Sequence, residues 1–216
     1  MGVKRGDSDF SVEARGHASR RVRADAQRNI DALLEAAMAV FATSGVDAPV
    51  RQIAAEAGVG LGTVYRHFPQ RSDLIAAAFR HEIDACADAA PALAVAHPPG
   101  DALARWMLRY VDFVAAKRGL APALHSGDPA YDTLRAYFEQ RLRPALQTLI
   151  ASAIAAGEVR TDVDADDILG AVASLCMHAF DQGPEHARRM VSLFVDGLRY
   201  GANSHPKLKR TARRKT

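Results

Sequence analysis

Residues 51–68 read RQIAAEAGVGLGTVYRHF, and few local arrangements satisfy that string. Ile53, Ala54 and Ala57 share one face of a helix expected from about Arg51 to Ala57. Gly58 then stands where a helix end needs a left-handed residue, which glycine adopts without a Cβ penalty. Val59 is an apolar plug, and a second helix is expected to begin between Gly60 and Gly62. Val64 and Phe68 face inward from it, and Pro69 stops it. Ala54 is small where the two helices approach most closely, four residues before Gly58. An ordinary helical hairpin would share these features. A helix-turn-helix adds an outward face on the second helix, which it lays in the DNA major groove.

That outward face is present. Arg51, Thr63, Tyr65, Arg66, His67 and Arg71 cluster here, and Gly62 and Arg66 fall away from the Val64–Phe68 face. A helix N-terminus attracts phosphate through unpaired N–H groups and the macrodipole. The Thr63 and Tyr65 hydroxyls and the charge of Arg71 suit phosphate, which positions a protein without reading sequence. Base reading falls to Leu61, Gly62, Arg66 and Arg51, since an arginine bidentate to guanine discriminates by ~1–3 kcal/mol.

With GVGLGTVYRHF followed by PQRSDL, residues 28–75 resemble the TetR family of transcriptional regulators. The family pattern is close to G-V-x-x-G-T-x-Y-x-H-F followed by K-x-x-L. The resemblance implies backbone contacts from Thr63, Tyr65, His67 and Arg71, and places Arg51, Leu61, Gly62 and Arg66 near base edges. It also departs in two places. Pro49 stands where the family often has a capping threonine, which leaves Asp47 as the substitute cap. Gln70 is a weaker cap than the family's serine or asparagine at the start of the fourth helix.

The rest of the chain reads as all-α, because alanine is abundant and two-residue alternation is scarce. The expected layout is a disordered, basic-flanked arm over 1–22, a three-helix DNA-binding head over 23–70, a helical ligand-binding and dimerisation bundle over 71–203, and a basic disordered tail over 204–216. Arginines at 15, 20, 21 and 23 suit an arm reaching a minor groove. The first helix is expected over Asp25–Ser44, its stripe running from Ile30 through Leu33, Leu34, Ala37 and Val40 to Phe41. The net charge is +3, but six basic residues lie after Pro206. The remaining 22 basic and 25 acidic residues leave the body at −3, so positive charge for DNA must be local. Two cysteines, no charged-then-apolar leader and no apolar run near twenty residues lead to the expectation of a cytoplasmic, membrane-free protein.

Within the bundle a helix is expected from Ser72 to about Ala90, broken by Pro91 and the 97–100 segment HPPG. Others are expected over Ala102–Lys117, from Asp128-Pro129 to Gly157 with a kink at Pro144, over Asp164–Asp181 and over Pro184–Gly201. The last two carry apolar stripes wider than one bundle face needs. Ile168, Val172, Leu175, Val191, Phe194, Val195 and Leu198 are therefore expected at a homodimer interface, beside small residues such as Gly170 and Ser174. The family resemblance implies the same pairing. It also implies a ligand pocket, for which the large bundle residues are candidates: Trp106, Met107, Tyr110, Phe113, Leu124, His125, Tyr137, Phe138 and Met177. The segments RYVDFVAAKRGL and AGEVRTDVDADDIL resemble one TetR subgroup without naming a ligand.

The expectation is a repressor that binds a near-palindromic operator in double-stranded DNA as a homodimer and is released by a small-molecule effector. A ligand-responsive activator uses the same physics with the opposite sign. A small-molecule-binding helical enzyme is the other class considered. The chain carries no nucleophile elbow, phosphate-binding glycine loop or paired catalytic histidines. Gly58-Val-Gly-Leu-Gly62 follows a helix rather than a strand, unlike a dinucleotide turn. Cys176 and His178 are two apart and diverge on a helix, and His81, Glu82 and Cys86 form no clear ligand set. No catalytic residue, cofactor or metal is therefore expected.

Overall fold

The computed structural model describes residues 9–179 and 182–200, with backbone alone for 9–25 and 178. The described residues are helical and contain no strand. Helices α1 (Asp9–Ser44), α2 (Val50–Glu56) and α3 (Leu61–His67) make the head. Helix α4 (Arg71–Ala96) leads into a body of α5 (Pro99–Arg118), α6 (Ala121–Leu124), α7 (Leu134–Ala155), α8 (Ala165–Ala179) and α9 (Pro184–Arg199). Helix α4 packs against α1, α5 and α7 and so belongs to both halves.

The α1 stripe is buried as its spacing requires: Leu33, Ala37, Val40 and Phe41 are buried on a helix that packs against α2, α4 and α5. The helix itself starts at Asp9, where disorder to residue 22 was expected. Periodicity reports burial, and this segment carries no apolar period in its sequence. Its alanines, arginines and glutamate carry high intrinsic propensity, and no proline interrupts them. Residues 1–8 and the basic tail lie outside the described residues.

Two proline readings change. Pro91 lies inside α4 and does not end it. The turn around it is almost all alanine, so its ring meets little bulk, and buried Ala87 and Ala90 hold that turn against the body. The chain breaks at His97 and Pro98, with Pro99 starting α5. Asp128-Pro129 opens only a single 3₁₀ turn, Pro129–Tyr131, where Asp128 Oδ1 accepts from Ala130 N at 2.9 Å. Helix α7 starts later, at Leu134, runs through Pro144, and ends before Gly157, whose φ of +70° gives the left-handed residue expected there.

The body core centres on Trp106, fully buried, whose Nε1 donates to Cys86 O at 2.9 Å. A stack of rings continues from it: Trp106–Tyr110 and Tyr110–Phe113 have centroids 5.7 Å apart, and Phe113 meets Phe79 at 5.6 Å and Phe138 at 5.8 Å. Ion pairs at the edges tie the helices together. Arg109 bonds Glu82 at 2.6 Å, Arg141 bonds Asp84 at 2.6 Å and Asp88 at 2.7 Å, and Arg188 pairs with Asp112. Burial pushes the Cys86 thiol up to about 12 and the Cys176 thiol up to about 11, so both stay protonated near neutral pH.

Candidate DNA-binding face and effector pocket

The turn between α2 and α3 is built from backbone. Gly58 has φ of +66°, which lets Val59 N bond Ala54 O at 3.0 Å and close the end of α2. Ala54 and Ile53 are buried beneath this crossing. Helix α3 is then fixed to the head by Val64, 1% exposed, with Phe68 half-buried beyond it. Burying a valine of this kind contributes ~2 kcal/mol.

Every other side chain of α3 is left open to some degree. Gly62, Arg66 and His67 are exposed, and Thr63 is half-buried. Leu61 is 43% and Tyr65 51% exposed, although both bear large apolar surfaces. Arg51 is exposed on α2. Seven of the eight residues expected at DNA therefore remain available to it: Arg51, Leu61, Gly62, Thr63, Tyr65, Arg66 and His67.

Arg71 differs. Its side chain is half-buried, and its Nη2 donates to Ala48 O at 2.6 Å and to Val46 O. It ties the start of α4 to the loop between α1 and α2. The caps also depart from expectation. Neither Pro49 nor Asp47 places a side-chain acceptor on the start of α2. At α4 the Asp73 carboxylate accepts from Gln70 N at 3.1 Å, which compensates for the weaker glutamine cap.

The ligand candidates divide. Trp106, Met107, Tyr110 and Phe113 are packed core, at most 3% exposed. Met177 is 60% exposed on α8. Tyr137 turns to Asp84, its hydroxyl donating to Oδ2 at 2.7 Å, and burial followed by that bond raises its pKa. Leu124, His125 and Phe138 do converge, on an open cavity of about 570 Å³. Its inner wall adds Phe79, Tyr131 and Leu134, and its rim adds Lys117, Arg135 and Glu139. These additions were not legible as a set, because they come from α4, α5, the 3₁₀ turn and α7. Tyr131 also lines a second cleft of about 410 Å³, which faces Val46, Asp47 and Arg71 of the head. Gly119 ends α5 against α1: a Cβ there would lie 2.5 Å from Phe41 O.

The expected interface residues divide as well. Ile168, Val172, Val191, Val195 and Leu198 are buried within the subunit, at 7% exposure or less. They pack α8 and α9 on α5 and on each other. Only Leu175 and Phe194 remain half-open. Phe194 shares the outward surface with Met177, Met190 and Leu193, and Leu175 lines an apolar groove of about 300 Å³ with Ala179 and Met190.

Comparison with known proteins gives the same picture over most of the chain. Residues 33–78 match the family described as bacterial regulatory proteins, tetR family. Residues 98–200 match that described as transcriptional regulator SbtR-like, C-terminal domain. A TetR transcriptional regulator of Streptomyces coelicolor is 40% identical, with 78% of this chain and 97% of that one covered and a TM-score of 0.71. The TetR-like regulator LfrR of Mycobacterium smegmatis, solved in complex with proflavine, is 25% identical over 85% of this chain and 99% of its own, with a TM-score of 0.58. A helix-turn-helix transcriptional regulator of Staphylococcus aureus (strain USA300) is 38% identical over 64 residues, 29% of this chain. The chain spans about a third, 35%, of the length of the curated relatives it matches.

Proposed function

Since this chain belongs to the TetR family of helix-turn-helix transcriptional regulators, we propose that it is a repressor: a homodimer holds a near-palindromic operator and a small molecule in the body releases it. The observation that carries this reading is α3, a helix held by one buried valine while Leu61, Gly62, Tyr65, Arg66 and His67 stay open. Arg66 and Arg51 read base edges, Leu61 and Gly62 lie against them, and Thr63, Tyr65 and His67 hold phosphate. Arg71 supports this face from behind by fixing the loop before α2.

Two copies pair through the outward face of α8 and α9, where Met177, Leu193 and the groove beside Leu175 present apolar surface. A two-fold dimer then sets two α3 helices at half-site spacing. The effector fills the cavity over Phe138, and the complex of LfrR with proflavine supports a ligand site in such a fold. Tyr131 and the Gly119 contact join that cavity to the head. A ligand that prefers a different head position lowers DNA affinity by no more than its differential affinity for the two states.

The test is capture of genomic fragments by the full chain, followed by sequencing. A short palindrome is expected. A sequence-independent population of fragments would remove the operator reading.

A further inference from the structure

The cavity over Phe138 has a chemical character that narrows its ligand. Its inner wall is aromatic and apolar: Phe79 stacks on Phe113 behind it, Phe138 tilts against the same ring, and Tyr131 and Leu134 add to the lining. The rim holds the charge. Arg135 and Glu139 satisfy one another across one helical turn at 3.2 Å, so they leave no net charge there. His125 is turned back to its own helix, its Nδ1 donating to Ala121 O at 2.7 Å. Lys117 remains. Among the described residues no carboxylate lies within ion-pair distance of it, and the surrounding protein lowers its pKa by desolvation even though much of the side chain is open. A cavity with flat apolar walls and one uncompensated ammonium at its mouth is complementary to a flat molecule with one negative charge.

Resting on the effector reading above, we infer that the effector is an aromatic carboxylic acid, its ring against Phe138 and its carboxylate on Lys117. The ring fills a volume within the ~300–1,000 Å³ range of small-molecule sites, and the ammonium supplies a charge-assisted hydrogen bond. Lys117 also stands two residues before Gly119, which packs on Phe41 of α1. A pull on the end of α5 is therefore felt where the body meets the head.

The test uses the full chain and three probes of one shape: naphthalene-2-carboxylate, its neutral carboxamide and 2-naphthylmethylammonium. Calorimetry is expected to rank them in that order, with the carboxylate roughly tenfold tighter than the carboxamide. Lys117→Met is expected to erase the difference while leaving carboxamide affinity in place, and Lys117→Arg to keep it. The inference is overturned if no probe binds, if the carboxamide or the ammonium binds as well as the carboxylate, or if Lys117→Met leaves the ranking intact. Release of a captured DNA fragment is measured separately. Charge-selective binding without release would retire the release mechanism and leave the acid-binding assignment standing.

Discussion

Gly62 offers the sharpest separation of folding from function in this molecule. It lies within α3, is exposed, has no positive φ, and a Cβ built on it meets nothing within 4 Å. The fold therefore does not require glycine there. A helical glycine is less favourable than alanine by ~0.5–1 kcal/mol, because it loses more backbone freedom on folding. Gly62→Ala should stabilise the protein by about that amount and raise Tm by about 2 °C, given the usual unfolding entropy of a domain this size. The same methyl group would stand between α3 and a base edge. Displacing the helix lengthens its neighbouring phosphate bonds together, and a loss of roughly tenfold in operator affinity needs only ~1.4 kcal/mol. Thermal unfolding followed by circular dichroism, and a fluorescence-anisotropy titration of operator DNA, measure the two effects. Higher stability with unchanged DNA affinity would place Gly62 outside the interface. Lower stability would refute the claim that the fold leaves this position free.

Other perturbations probe the support of the site. Gly119→Ala drives a Cβ to 2.5 Å from Phe41 O, which is backbone and cannot swing away. It should destabilise by ~1–3 kcal/mol, seen in urea unfolding, and weaken effector-driven release. Leu193→Asp alters an exposed side chain on α9; sedimentation should show a shift toward monomer with helix content retained, and an unchanged dimer would move the interface elsewhere. The Cys86 thiol has a folded pKa raised to about 12 by burial, above its ordinary value of 9.0. Above pH 9 the unfolded chain loses that proton first, so stability should fall as pH rises toward 12, by at most ~1.4 kcal/mol per pH unit from this group. Urea unfolding between pH 8 and 10.5 should show a shallower decline for Cys86→Ala, and equal slopes would assign the alkaline loss to other groups.

The head was legible in the sequence because its determinants are local. Gly58 needs its left-handed φ, Val64 and Phe68 lie one turn apart, and Leu33 to Phe41 form one stripe, all within a few residues of chain. Helix period set Gly62, Arg66 and the flank of Thr63 outside the Val64 face, hydroxyl and charge chemistry pointed to Tyr65 and Arg71, and the family resemblance added His67. The tie that Arg71 makes to the loop before α2 was not legible. Its partners Val46 and Ala48 lie more than twenty residues earlier, and no period in the sequence connects them. Nor was the helical setting of Pro91, because a proline's cost inside a helix depends on what surrounds the turn.

What the sequence by itself determined is the all-helical fold, the outward face of α3 and the positions of most helix ends, since backbone preference and short-range burial decide these. Tertiary structure alone decided which side of each body helix is free. A stripe such as Val172 or Val191 reads the same whether it meets its own subunit or another, because burial leaves one pattern for either partner. It also decided the cavity. Phe79, Lys117, Tyr131 and Phe138 come from four separate elements, and only packing brings an aromatic wall beneath an ammonium that has no carboxylate partner among the described residues. The side chains were all present in the chain, but a pocket is a property of the distances between them.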